Sequence, residues 1–191
     1  MHWKVVTRVL RYLKGTRDLT LTLGHVRDTD PDILTGHTDV SWADNVDDRQ
    51  STSGYIYRLR DTVISWNSKK QHTIATSSTE AEYMSLSHGV KQALWLRQFL
   101  RDVGIHPSEP PSGTEIFVDN TGMIALTKEA RLHARTKHID VHYHFVRERV
   151  KDGTFKITHV PTGEMLVDGL TKALPHTGHE KMAKRLILTK V

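Results

Sequence analysis

Residues 34–66 read LTGHTDVSWADNVDDRQSTSGYIYRLRDTVISW. Leu34 to Trp42 alternates in character from one residue to the next, and an acidic turn follows to Asp48. Ser53–Leu59 and Thr62–Trp66 repeat the alternation, joined by the tight Arg60–Asp61 connection. Period-two alternation between turn residues marks strands. Three of them in succession predict an antiparallel meander. Downstream the rhythm changes. Ser78 to Val103 is the strongest helical segment, with Gly104 as its stop and Pro107 beyond. His106–Gly113 holds three prolines and reads as a linker or exposed loop. Thr114–Asp119 is a short apolar strand that runs through Asn120-Thr121-Gly122 into a helix ending about Ala130. A second, basic helix is expected over about His138–Lys151, a strand over Phe155–Val160, and a last helix over Met165–Leu174, closed by Pro175. Upstream, Val5, Val6, Val9, Leu10 and Leu13 recur at helical spacing within residues 3–14, and Leu19–Leu23 alternates like a short strand. A meander followed by strand–helix alternation predicts an α/β mixed sheet with helices on its faces.

Composition narrows the chemistry. The 191 residues contain no cysteine, which excludes disulfides, a thiol nucleophile, iron–sulfur clusters and cysteine-based zinc fingers. No apolar run approaches the roughly 20 residues needed to span a bilayer, and the basic N-terminus lacks the apolar core of a signal peptide. An intracellular protein is expected. The formal charge of +5 is unevenly spread. Residues 1–17 carry five bases and no acid, residues 28–48 seven acids and no base, and residues 128–156 eight bases against four acids. An acidic locus framed by basic surface points to a polyanionic partner.

Four acids stand where a carboxylate has little structural purpose. Asp39 lies inside a strand, where Asp is depleted. Asp119 ends a strand just before a helix, the place where open α/β sheets hold ligands. Asp168 lies amid Met165, Leu166, Val167 and Leu170. The fourth acid is Glu80 or Glu82. At 100° per residue, Leu86, Gly89, Ala93, Leu96 and Leu100 all fall within about 40° of Glu82, whereas Glu80 falls about 160° away. The apolar ridge thus favours Glu82, although a second ridge passes through Met84 and Trp95. Each acid has a plainer reading: Thr79-x-x-Glu82 and Ser77-x-x-Glu80 both fit capping boxes, Asp119 fits a helix cap, and Asp168 fits a solvated helix. Four clustered carboxylates raise one another's pKa, and two hard divalent cations would resolve the repulsion.

The segments HTDVSWADNVDDRQSTSGYIY, ISWNSKKQHTIATSSTEAEYMSL, LWLRQFL, IFVDNTGMIAL, ARTKHIDVHYHFVRERV and HVPTGEMLVDGLTKALP follow one another in this order. Together they resemble the ribonuclease H domain of copia-type LTR-retrotransposon Pol polyproteins. The opening HWKVVTRVLRYLKGT resembles the connection leading out of the reverse transcriptase in the same polyproteins. The resemblance implies a ribonuclease H-like fold with a five-stranded mixed sheet ordered 3-2-1-4-5. It implies residues 1–30 as a lead-in from the polymerase connection, 31–175 as the nuclease domain and 176–191 as a C-terminal tail. It places the family's catalytic, metal-binding acids on Asp39, Glu82, Asp119 and Asp168. Two Mg2+ ions, with Mn2+ as substitute, are the implied cofactors, Asp39 bridging both, Glu82 and Asp119 completing one shell and Asp168 the other. The implied reaction is endonucleolytic hydrolysis of the RNA strand of an RNA–DNA hybrid during reverse transcription, leaving a 3′-hydroxyl and a 5′-phosphate. The implied partners are the hybrid and the reverse transcriptase domain of the same polyprotein, with no membrane, in a cytoplasmic virus-like particle or the nucleus. The sequence departs from the family pattern at Ser41 and at Ala43 or Asp44, and the loop Pro161–Glu164 lacks the histidine of cellular ribonucleases H, although His159 is near.

Asn120 is a candidate contact to the 2′-hydroxyl by analogy. Lys69, Lys70, Arg135 and Lys137 are candidates for the phosphates, with a solvated loop as the plainer reading of Lys69-Lys70. Trp42 and Trp66, at strand positions, are expected in the core rather than stacked on nucleotides. His138, Asp140, His142 and His144 invite a zinc reading, but no third ligand stands at fixed spacing, and a helix start with an extra histidine accounts for them. The alternative to an enzyme is a catalytically idle nucleic-acid-binding remnant of the same fold. An integrase-type transferase is disfavoured because its third carboxylate follows the second Asp, whereas Glu82 precedes Asp119.

Overall fold

The computed structural model describes residues 2–21, 23, 34–44, 46–60, 62–105, 113–128, 140–186 and 188–190. Arg135, Lys137 and His138 lie outside the described residues, as does most of the proline-bearing loop. The meander forms as expected: β2 (Leu34–Ser41), β3 (Thr52–Leu59) and β4 (Thr62–Lys70) pair antiparallel. β5 (Thr114–Val118) pairs parallel with β2, and β6 (Phe155–His159) parallel with β5. The sheet order is β4-β3-β2-β5-β6, which is 3-2-1-4-5 when the five strands are counted among themselves.

Alternation along β3 assigns the two faces. Tyr57, fully buried, joins the cluster of Leu86, Val90, Ala93, Leu96 and Leu100 from α2 (Ser78–Asp102). Its hydroxyl donates to the Gly89 carbonyl at 2.6 Å. The five ridge residues of the helical-wheel reading include Gly89, which permits the close approach: a Cβ there would lie 2.5 Å from Cγ2 of Thr38 on β2. α3 (Thr121–Lys128) and α4 (Asp140–Lys151) extend this layer through Met123, Tyr143 and Val146. Gly54 and Ile56 face the opposite side. There Ile56 and Val63 pack on Met165, Leu166 and Val167 ahead of α5 (Asp168–Thr171). A Cβ on Gly54 would meet Thr171 Cγ2 at 2.8 Å, so the missing side chain lets α5 settle on the sheet.

The helix expected over Met165–Leu174 is only one turn long. Met165, Leu166 and Val167 are all buried. Three successive residues cannot share one stripe of a helix, so their burial holds this stretch outside helical geometry. Pro161 instead caps a short 3-10 turn over Thr162–Glu164, and the chain turns helical only at Asp168.

At the N-terminus, α1 (His2–Thr16) forms but buries none of its residues. Its apolar stripe, Val5, Val6, Val9, Leu10 and Leu13, faces solvent in this chain. Residues 176–191, read as a tail, carry α6 (His176–Arg185) and β7 (Leu188–Lys190). β7 pairs antiparallel with β1 (Leu19–Leu21), and Tyr12 Oη meets His179 Nε2 at 3.4 Å. Among the described residues, no helix is long and apolar enough to cross a membrane.

Candidate active site

Asp39, on the central strand, is 1% exposed. Ser85 Oγ, from α2, donates to its backbone carbonyl at 2.7 Å and ties the strand to the helix. One turn earlier on that helix is Glu82, and Asp119 follows the end of β5. Asp39, Glu82 and Asp119 each offer an oxygen, all within 4.8 Å of one another. The structure brings Glu82, the glutamate favoured by the helical wheel, to Asp39 and Asp119, and leaves Glu80 outside this group. It is buried, and its carboxylate accepts from the Thr76 N–H at 2.6 Å and the Thr76 hydroxyl at 2.7 Å. Ser77 accepts the Glu80 N–H at 3.2 Å, so Ser77 and Glu80 stabilise the helix start and leave Glu82 free of capping.

The electrostatics are those of a crowded acidic pocket that a neighbouring lysine, Lys172, compensates only in part. Burial, then the charges of Asp39 and Asp119, push the Glu82 carboxyl up to about 8. Asp39 is also raised by burial; hydrogen bonds from Thr171 and Lys172 offset part of this, and Asp119 adds to it. Asn120 stabilises the pocket's backbone: its Oδ1 accepts the Met123 N–H at 2.9 Å at the start of α3, and its side chain hydrogen-bonds Glu82. Thr162, from the 3-10 turn, donates to Asp119 Oδ2 at 3.0 Å.

The fourth acid stands apart from this trio. Asp168 is joined to Asp39 through a base: Lys172 Nζ lies 3.1 Å from Asp39 Oδ2 and 3.1 Å from Asp168 Oδ1. The Thr171 hydroxyl donates to Asp39 Oδ2. Burial opposes the charge on Lys172, but Asp39 and Asp168 together hold its pKa above that of an ordinary lysine. Neither Thr171 nor Lys172 was singled out from the sequence. Their signal was there, because residues three and four beyond an acid share its helical face. Gly54 was equally visible as a glycine inside a strand.

Of the remaining candidates, Lys69 is exposed at the end of β4, and Lys70 is paired with Asp48 at 2.7 Å. His142 Nδ1 lies 2.9 Å from Ser87 Oγ, and His144 is exposed. Among the described residues, the one group with metal-site geometry is Asp39, Glu82 and Asp119. Trp42 and Trp66, expected in the core, are 50% and 58% exposed. Trp42 lies in the turn past β2, where its Nε1 reaches the Ala75 carbonyl at 3.5 Å, and Trp66 lies on the edge strand β4.

The donor set fits hard divalent cations: all-oxygen ligands, close spacing, and carboxylates that cannot all ionise unaided. No family model matches the chain. It is 40% identical over 186 residues, 97% of its length, to the Retrovirus-related Pol polyprotein from transposon TNT 1-94 of Nicotiana tabacum. It is 38% identical along its whole length to the Pol polyproteins from transposons RE2 and RE1 of Arabidopsis thaliana. The chain spans 13% of the length of each of these relatives. Among solved structures it is similar to LC11-RNase H1 isolated from compost, with a TM-score of 0.52 and 15% identity, covering 81% of this chain and 99% of that one. It is also similar to LC11-RNase H1 in complex with an RNA/DNA hybrid, with a TM-score of 0.51 and 15% identity, covering 72% of this chain and 93% of that one. Likeness to the polyproteins along the whole chain, and the sheet shared with the ribonucleases, lead to one conclusion: the chain belongs with the copia-type Pol polyproteins and has a ribonuclease H-like fold.

Proposed function

We propose that this domain is an endonuclease that hydrolyses the RNA strand of an RNA–DNA hybrid during retrotransposon reverse transcription. The observation that carries the reading is the corner of Asp39, Glu82 and Asp119, three carboxylates in mutual reach. Asp39, Glu82 and Asp119 would hold one Mg2+, and Asp39 with Asp168 would hold a second. When bound, such cations activate the attacking water and stabilise charge on the leaving oxygen.

The rest of the work falls to the chain's own groups. Ser85 fixes the strand that carries Asp39, Asn120 orients the Glu82 carboxyl, and Thr162 orients Asp119. Lys69 is the exposed base on the strand next to the meander's centre and contacts phosphate. Lys70 joins it on leaving Asp48, and Arg135 and Lys137, which lie outside the described residues, are further bases proposed for phosphate. Asn120 reads the 2′-hydroxyl alongside Glu82. Residues 1–30 lead in from the polymerase, residues 31–175 are the nuclease, and the solvent-facing stripe of α1 is covered by the reverse transcriptase of the longer polyprotein. The setting is a cytoplasmic virus-like particle or the nucleus.

The test is cleavage of a hybrid carrying end-labelled RNA, with Mg2+ or with chelator. Mg2+-dependent cleavage that Asp119→Asn abolishes supports the enzyme. A folded, hybrid-binding protein that leaves the RNA intact with Mg2+ or Mn2+ would be the idle remnant.

A further inference from the structure

Lys172 reaches Asp39 at both oxygens, 3.1 Å from Oδ2 and 3.4 Å from Oδ1, as well as Asp168 at 3.1 Å. Its ammonium therefore occupies the gap between the two carboxylates that the nuclease reading assigns to the second cation. Three features hold it there. The Lys172 N–H donates to the Asp168 carbonyl at 2.8 Å, closing the single turn of α5. The neighbouring Thr171 is buried and bonded to Asp39. Gly54 gives that turn its seat on the sheet. A buried carboxylate needs a counter-charge in contact, and Asp39 finds one here inside the chain. The Lys172 side chain is 36% exposed, which leaves it a route outward. A divalent cation held between Asp39 and Asp168 would lie roughly 2.0–2.1 Å from their oxygens, in the gap that the ammonium fills, so the two cannot both stay there.

We propose that Lys172 is a displaceable internal counter-ion that closes the Asp39–Asp168 half of the site to divalent cations in the resting protein, so that the free domain holds one cation, at Asp39, Glu82 and Asp119. Lys172 is on this view a positioning residue, acting through Asp39. The inference rests on the nuclease reading for its ligand set, but its readout is cation stoichiometry rather than cleavage.

The experiment is a calorimetric titration of the chelator-treated full chain with MnCl2, without nucleic acid, paired with thermal melts in the same buffers. Wild type and Lys172→Arg are expected to bind one Mn2+ per chain, and Lys172→Gln two, the second at least tenfold tighter than in wild type. In chelator, Lys172→Gln is expected to melt below wild type at neutral pH and to gain more from Mn2+. Lys172→Met runs in parallel in case the Gln variant fails to fold. Two ions in wild type, or one ion of unchanged affinity in both neutral variants, would overturn the proposal while leaving the nuclease reading in place. Equal Mn2+ binding by wild type and Asp119→Asn would remove the ligand set, and the nuclease reading and this inference together.

Discussion

The two halves of the acidic pocket meet the same problem with opposite solutions. At one side Glu82 and Asp119 crowd Asp39, and despite the nearby Lys172 charge the Glu82 carboxyl is driven up to about 8. At the other, Asp39 and Asp168 share Lys172. One half keeps a repulsion that an external cation would relieve, while in the other the chain supplies a counter-charge of its own. The spacing of acids along a sequence thus does not by itself give the number of cations a resting site takes, because a lysine one helical turn away can fill a position first.

The largest expected effect separates the halves by activity and cation binding together. Asp119→Asn should lower hybrid cleavage by on the order of 10³-fold, the upper range for losing an electrostatic stabiliser, and should abolish the rise in melting temperature on adding Mn2+. Asp168→Asn should lower cleavage by on the order of 10²-fold yet keep that rise. Single-turnover rates and thermal melts of the two variants check this, and equal loss of the Mn2+ response would erase the distinction.

A second expected effect uses pH. Glu82 has its folded pKa raised from 4.5 to about 8, so its contribution to stability is complete below 4.5 and is lost as pH rises to 8. His37 behaves in the opposite sense. Burial, with Arg58 and Arg185 nearby, lowers it from 6.5 to about 4, so its contribution is complete above 6.5 and is lost as pH falls toward 4. Between pH 6.5 and 8 the Glu82 slope is therefore free of the His37 one. Melts in chelator should show stability falling across that window, with Glu82→Gln or saturating Mg2+ flattening the fall. His37→Gln should flatten the acid limb instead.

Two glycines sharpen the same comparison through packing. Gly54→Ala pushes on Thr171 and Gly89→Ala on Thr38. Each is expected to cost about 1–3 kcal/mol, the usual range for overpacking, measurable by denaturant melts. Gly54→Ala should loosen the Lys172 half and Gly89→Ala the seat of Glu82, so only the second should weaken binding of the first Mn2+. Smallest is Thr162→Val, which removes the hydrogen bond to Asp119. About a tenfold loss of Mn2+ affinity is expected, as for other groups that orient a ligand, with the melting temperature in chelator unchanged.

The fold was largely legible because its signals were local. Period two marked β2 to β4, and the ridge from Leu86 to Leu100 fixed the buried side of α2. The acids were legible one at a time because a carboxylate inside a strand or past a strand end is out of place. The pattern failed where long-range packing overrode local rhythm. Met165–Val167 pack against β3 and β4 and so break the expected helix. Glu80 is buried by folding back on Thr76, a partner outside its helix. α1 has helical periodicity but buries nothing, because periodicity states which face seeks cover and not what provides it. Lys172 was not legible as a site residue because a lysine four residues beyond an acid reads as an ordinary pair on a helix face, and its contact with Asp39 spans 133 residues.

The central claim is tested most directly by giving the purified chain one labelled RNA strand in three forms, paired to DNA, paired to RNA and alone, with Mg2+ or chelator. The expected result is internal cleavage of the hybrid alone, dependent on Mg2+, with products bearing 3′-hydroxyl and 5′-phosphate ends. Cleavage of all three forms alike, cleavage that persists in chelator, or an intact hybrid in the presence of a folded protein that binds Mn2+ would contradict it.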